Sequence, residues 1–307
     1  MSFSLNKSYK ILLLLVIFIV IIGFWNPNAL LDGLQRGSLY SLIALPLALV
    51  LGILGVLNLA HGEFLTVGLY FIFMLNTRFN LDPLVAIIPT VIFLLILGAI
   101  IYWLTIKRVV KEGHLSQLLL TFGISLILIE TINIFWTSMA RNVYTSYSYA
   151  SMEIGSFRFG TYELLYILIA VLVLVGLQLF LKKTRLGQAT FAVGQNPKGA
   201  KIVGINVNYV YLFVFSVAVA ILGIVAGTML PRTAIFPEVG SPFTLKSFAL
   251  AAMAGMGNLN GILFAGVTLG IGEAVINSIP NYGGWSDIVF FGVLIIVIIS
   301  RSYRGAR

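Results

Sequence analysis

Apolar runs follow one another along almost the whole 307-residue chain, at residues 11–25, 37–51, 54–75, 84–104, 115–136, 163–181, 209–230, 243–256, 261–279 and 286–300. A full membrane crossing by a helix takes about 20 predominantly apolar residues. The pattern therefore describes an all-α integral membrane protein of about ten helical segments, of which 37–51, 243–256 and 286–300 are short enough to be expected tilted, broken or re-entrant. Hydrophobic residues make up 60% of the chain and charged residues 9%, more apolar surface than one soluble core of this length can bury. The runs do not alternate apolar with polar residues, which excludes a closed β-barrel. There is no cysteine, so disulfide and thiolate chemistry are excluded too.

The first run follows Lys7 and Lys10 and has the look of a secretory signal, but the residues after it, GFWNPNALL, offer no small-x-small cleavage site. It is expected to stay as a first span. With ten crossings, one side of the membrane receives 13 of the 19 Lys and Arg residues, among them Lys107, Lys111, Lys182, Lys183, Lys198 and Lys201, against the single anion Glu112. The other side receives six cations and six anions, and Glu63, Glu130 and Glu273 fall inside apolar runs. Positive charge marks the cytoplasmic face, so both termini are expected to be cytoplasmic. The net charge of +9 then reflects topology and contact with anionic lipid, and no nucleic-acid partner is needed to explain it.

The crossing order repeats. Residues 37–104 and 243–300 each hold a short segment, a Gly-rich break and two further segments, in the same orientation. That is a parallel internal repeat, a common transporter plan, within one transmembrane domain over 1–307.

Residues 52–70, GILGVLNLAHGEFLTVGLY, place Asn58, His61 and Glu63 in the middle of an apolar stretch. Ionisable side chains at this depth cost several kcal/mol unless a pocket or a water-filled path receives them. Asn58, His61, Gly62 and Glu63, with Asn258 and Asn260 at the equivalent second break, are thus candidates to line or gate a path. Each has a plainer role open to it: Glu63 as a carboxylate at a helix start, Gly62 as a site of close approach, and the asparagines as partners for freed backbone groups. For Glu130 and Glu273 a neutral or internally paired carboxyl facing the bundle is expected.

Residues 182–208, KKTRLGQATFAVGQNPKGAKIVGINVN, leave the membrane. Asn196 suits a helix cap, Pro197 a first helical position and Gly204 a left-handed terminator, which predicts a short cytoplasmic helix. Ala192, Val193, Ala200 and Val203 give it an apolar side, either part of a solvated loop or a docking surface for a cytoplasmic subunit.

The segments GVLNLAHGEFLTVGLY, LLLTFGISLILIE, TRLGQATFAVGQNPKGAKIVGINV and AAMAGMGNLNGILFAGVTLGIGEAV, in this order, resemble the permease subunits of branched-chain amino-acid ABC transporters. NLAHGE resembles the shorter of the two permeases such systems pair. The resemblance implies a multi-pass protein of a prokaryotic inner or plasma membrane, and a second permease subunit, related or a second copy. It implies two cytoplasmic ATPases using ATP and Mg, and an external solute-binding protein. It also makes 184–204 the ATPase-coupling segment, with Arg185, Gln195, Asn196, Pro197, Ala200 and Gly204 in that role. Relatives with similar motifs carry urea, short amides or other amino acids, and an ion-coupled carrier or a passive channel are the other classes open to the residues alone. No Gly-x-x-x-x-Gly-Lys-Ser/Thr occurs, so the chain has no phosphate-cradling loop of that kind, and its two histidines, His61 and His114, lack the paired spacing of a zinc site. No cofactor, metal or catalytic residue is expected in it, and it is expected not to be an enzyme.

Overall fold

A computed structural model describes residues 26–154, 157–255, 257–288, 290–292 and 295. The expected first span at 11–25, the end of the last segment and the terminal cations lie outside the described residues. Among them, six helices are long and apolar enough to cross a membrane: α1 (Pro27–Leu54), α3 (Ile87–Val109), α4 (His114–Trp136), α5 (Leu164–Lys183), α8 (Val207–Met229, with a further turn at Leu230–Arg232) and α10 (Leu259–Asn277). Two shorter or more polar helices complete the bundle, α2 (His61–Phe79) and α9 (Ser241–Ala254). Outside it lie α6 (Arg185–Gln195) and α7 (Pro197–Ile202).

The segment expected at 37–51 is part of a 28-residue helix. Its first turns carry Asp32, Gln35 and Arg36, which hid them from a count of apolar residues but find partners here. Gln35 Nε2 donates to the Gly160 carbonyl at 3.0 Å, and Arg36 lies 3.6 Å from Glu273. Gly160 ends an antiparallel hairpin, β1 (Ser151–Ile154) with β2 (Phe157–Gly160), that the apolar pattern did not foresee. Nearby, Tyr147 donates to Asp82 at 2.8 Å; burial pushes its phenol up, and the carboxylate adds to the shift.

α1 and α8 form the centre, each buried over 78% of its apolar window, while α3, α4 and α5 bury between 22% and 28% and turn broad apolar faces outward. Between helices in lipid there is little hydrophobic driving force, so association rests on close van der Waals packing of small residues. α1 meets α10 through two pairs of glycines four apart, Gly33 and Gly37 against Gly266 and Gly270: a Cβ on Gly37 would lie 2.7 Å from the Val267 Cα, and one on Gly33 2.5 Å from the Ile271 Cα. Ser41 Oγ closes the same contact, donating to the Gly37 carbonyl at 2.7 Å with the Ile262 carbonyl of α10 at 3.3 Å. α3 and α8 pack likewise through Gly98 and Gly223, and Phe71 of α2 stacks on Phe93 of α3 with centroids 4.2 Å apart.

Gly37→Val therefore should force α1 and α10 apart and cost about 1–3 kcal/mol, the usual range for overpacking. Gly123→Ala in α4, where nothing lies within 4 Å of the added carbon, should be neutral or stabilise by up to about 1 kcal/mol. Thermal unfolding of the detergent-solubilised protein measures both, and a neutral Gly37→Val would refute the backbone contact.

Candidate functional site

Two helix starts meet inside the bundle. α2 begins at His61 after a non-helical break at residues 55–60, and α9 begins at Ser241 after Gly240. Gly62 and Gly240 touch backbone to backbone, with no room for a Cβ on either. The Gly62 amide, one of the orphan donors of α2, donates to Thr244 Oγ1 of α9 at 2.7 Å. Glu63 sits in the first turn of α2, where partial positive charge favours a carboxylate. It is 2% exposed; Oε1 accepts from Ser241 Oγ at 2.8 Å, and Oε2 makes no hydrogen bond of good geometry among the described residues.

The break itself is braced from three sides. Asn58 Oδ1 accepts from the Ala60 amide at 3.1 Å. Thr121 Oγ1 of α4 accepts from the Leu59 amide at 3.1 Å, and its one proton is shared between the Gln117 carbonyl of its own helix at 2.9 Å and the Leu57 carbonyl of the break at 3.1 Å. His61 Nε2 lies 2.8 Å from the Ile43 carbonyl, an acceptor, so the ring donates from Nε2. That carbonyl belongs to the turn of α1 disturbed by Pro46, which has no amide for the ladder. His61 thus pins α2 to the weakened turn of α1.

Asn258 and Asn260, grouped with these residues from the sequence, stand apart from them. Asn258 caps α10, accepting from the Gly261 amide at 3.1 Å, and Asn260 bonds Gln178 of α5; both side chains are on an exposed face. The second break is nonetheless tightly held, because a Cβ on Gly52 of α1 would lie 2.6 Å from the Gly257 Cα.

A charge cluster that the sequence had scattered over several segments joins α1, α9 and α10. Lys246 Nζ lies 3.2 Å from Glu273 Oε2 and 3.1 Å from Asp287 Oδ1, and 4.6 Å from the centre of the Tyr40 ring. Tyr40 donates to Glu273 Oε1 at 2.9 Å. Glu273 is internally paired, as expected; Glu130 corrects the same expectation, since it lies on the exposed face of α4.

The extramembrane segment forms two helices where one was expected. Thr184 Oγ1 accepts from the Gly187 amide at 2.9 Å and starts α6 with Arg185 as its first residue; Gln195 ends it. Asn196 Oδ1 accepts from the Gly199 amide at 2.9 Å, Pro197 opens α7, and Gly204 follows with φ of 86°. Arg185, Gln195, Asn196, Pro197 and Gly204 are exposed. Ala200 is 4% exposed and Val193 is buried, so both pack on the chain itself, and the outward apolar groups are Phe191, Ile202 and Val203. A helical period identifies an apolar face without saying what it meets.

Residues 29–298 match the family model described as branched-chain amino acid transport system / permease component. The chain belongs to that family. Relatives in it include the high-affinity branched-chain amino acid transport system permease protein BraD of Pseudomonas aeruginosa, 28% identical over 89% of this chain and 92% of that protein. The permease LivH of Escherichia coli is 28% identical over 87% of this chain and 91% of its own. A more distant relative, at 25% identity, is the galactose/methyl galactoside import permease protein MglC of Haemophilus influenzae, over 100% of this chain and 97% of that one. Among solved structures, PsaBC from Streptococcus pneumoniae in complex with Fab shares the fold with a TM-score of 0.51 at 14% identity, over 90% of this permease and 93% of that chain.

Thr121→Val removes the hydroxyl that accepts the Leu59 amide and faces the Leu57 carbonyl in the first break of this permease. It should destabilise by about 1–3 kcal/mol, the cost of leaving buried polar groups unpaired. Thr131→Val, ten residues on at an exposed position of the same helix, should stay within about 0.5 kcal/mol. Thermal unfolding compares the two; equal effects would remove the bracing role.

Proposed function

We propose that this chain is the transmembrane permease subunit of an ATP-driven importer, a multi-pass protein of the prokaryotic cell membrane that moves branched-chain amino acids inward. It is not itself an enzyme: separate ATPase subunits use ATP and Mg to supply the power. The observation that carries the reading, beside the family match, is the α6–α7 pair. It lies outside the spans and leaves Ile202 and Val203 86% and 75% exposed, an apolar pair that a solvated loop has no use for. It is also wired to the bundle. A Cβ on Gly194 of α6 would lie 2.7 Å from Ile53 Cδ1 at the end of α1, the turn that packs on the second break.

Lysines from α3 and α7 converge at this end of the bundle, which supports a cytoplasmic placement for it and for both termini. The crossed contacts, α1 with α10 and α2 with α9, support two parallel repeats. ATP binding draws two ATPases together, α6 and α7 follow, and the end of α1 and the 255–258 break move with them, exchanging outward for inward access. Two permease copies or a related pair enclose the path, and an external binding protein delivers the solute. Relatives named for amino acids and for galactosides share this chain's length and plan, which supports recognition by the binding protein and a weakly selective path.

Ile202→Asp with Val203→Asp puts two charges into the proposed contact. Uptake should fall at least about tenfold and ATPase subunits should cease to copurify, with membrane levels of the chain unchanged; normal copurification and uptake would sink the docking assignment. Glu63→Gln tests the gate. Maximal uptake should fall about tenfold while half-saturation moves less than about twofold, because affinity resides in the binding protein. A tenfold rise in half-saturation at unchanged maximal rate would instead make Glu63 a direct ligand of the solute ammonium, a charge-assisted bond being worth about 1.5–3 kcal/mol.

A further inference from the structure

A cavity of about 890 Å³ opens between the end of α3, the α6–α7 junction and the start of α8. Lys107 and Lys111 line it from one side and Lys198 and Lys201 of α7 from the other, and no acidic residue is among its lining groups. Glu112, the anion next in sequence, is not one of them. Four ammonium groups around one cavity repel each other until an anion sits between them. The rest of the wall mixes the amides of Gln195, Asn196, Asn206 and Asn208 with apolar and aromatic groups, among them the buried Tyr102 and Tyr211.

A second observation bears on the source of that anion. α3 leaves the α-helical pattern at Tyr102–Ile106, a single π-helical turn immediately before Lys107. Such turns are rare and recur at functional sites; this one widens the helix and re-aims the lysines that follow it. Below them, α3 exposes Ile92, Ile96, Ile100, Trp103 and Leu104. That is a lipid-facing stripe ending in a tryptophan at the level where aromatic rings sit at membrane interfaces.

The geometry points to a binding site for one anionic phospholipid, its acyl chains along the exposed stripe of α3 and its phosphate among Lys107, Lys111, Lys198 and Lys201. Basic cavities at the cytoplasmic membrane face hold such headgroups. A bound lipid clamps α7 to the end of α3, so the freedom of the α6–α7 pair depends on the composition of the membrane. The site stands whether or not α7 docks an ATPase, and its test reads lipid and not uptake.

Native mass spectrometry of the purified full-length protein, with the subunits that accompany it, measures retention of titrated dioleoyl phosphatidylglycerol and dioleoyl phosphatidylcholine. A lysine near an anionic surface contributes about fivefold. Wild type should hold the glycerol lipid at least about tenfold more tightly than the choline lipid, and Lys107→Gln with Lys111→Gln should weaken it about twentyfold. Lys107→Arg with Lys111→Arg should retain it, separating charge from folding. Lys182→Gln with Lys183→Gln removes two cations of the same end that do not line the cavity and should leave binding intact. Equal loss in that control pair, or equal retention of the two lipids, overturns the site. Displacement of the lipid by inorganic phosphate at matching concentration assigns the cavity to a free anion and overturns the lipid. Loss of ATPase copurification in the glutamine pair with lipid retention unchanged makes it a protein contact and overturns it equally.

Discussion

The arrangement depends on the backbones of α1 and α10 touching. Lipid offers two apolar helices no reason to prefer each other, so the contact has to come from area and from polar groups that only close approach brings into range. Gly33, Gly37, Gly266 and Gly270 supply the area, and Ser41 spans the two backbones. One consequence follows directly. Tyr40 on α1 and Glu273 on α10 come within 2.9 Å, and Lys246 of α9 then finds both a carboxylate and an aromatic face waiting for it. The charge cluster is downstream of the glycines.

The two polar centres of the bundle are built on opposite terms. In the cluster around Lys246 every charge has a counter-charge, so breaking it leaves a buried ion unpaired, the costly direction. At the paired helix starts, the groups are satisfied almost completely by backbone and hydroxyls, and the exception is one oxygen of Glu63. The asparagine, histidine and threonine of that site are all engaged in holding the break, which leaves it few free donors or acceptors.

Local chemistry was legible in the sequence where neighbours decide it. Asn196, Pro197 and Gly204 mark α7 because cap, first turn and terminator interact within a few residues. Apolar runs likewise placed the helices, since length against bilayer thickness is a property of the run alone. What failed needed tertiary partners. The start of α1 was hidden because Gln35 and Arg36 are polar for the sake of Gly160 and Glu273, far along the chain. The hairpin was hidden because four-residue strands carry too little pattern. α6 left a signal in Thr184 and Gly187, an N-cap spacing easily lost beside a run of cations. Asn58, His61 and Glu63 come together because they share one break and the helix turn that follows it. Asn258 and Asn260 were set beside them by analogy between repeats; in the structure Asn258 caps α10 and Asn260 bonds Gln178 of α5.

The polar breaks also explain how a tightly packed bundle can move. Glycine contacts of this kind tolerate sliding poorly, because interdigitated packing has discrete minima, so α1 and α10 are best regarded as one body. Movement must be absorbed where helices are interrupted, and both interruptions sit at the ends of that body. Residues 55–60 tie it through Thr121 to α4, and Gly257 rests on Gly52 beside α6. Displacing α6 therefore pushes on the end of α1 and on the second break at once, while the first break is held by His61 at the turn that Pro46 has already weakened. The polar residues at these two interruptions meet the need that follows: each supplies the hydrogen bonds that the broken helix ladder gives up.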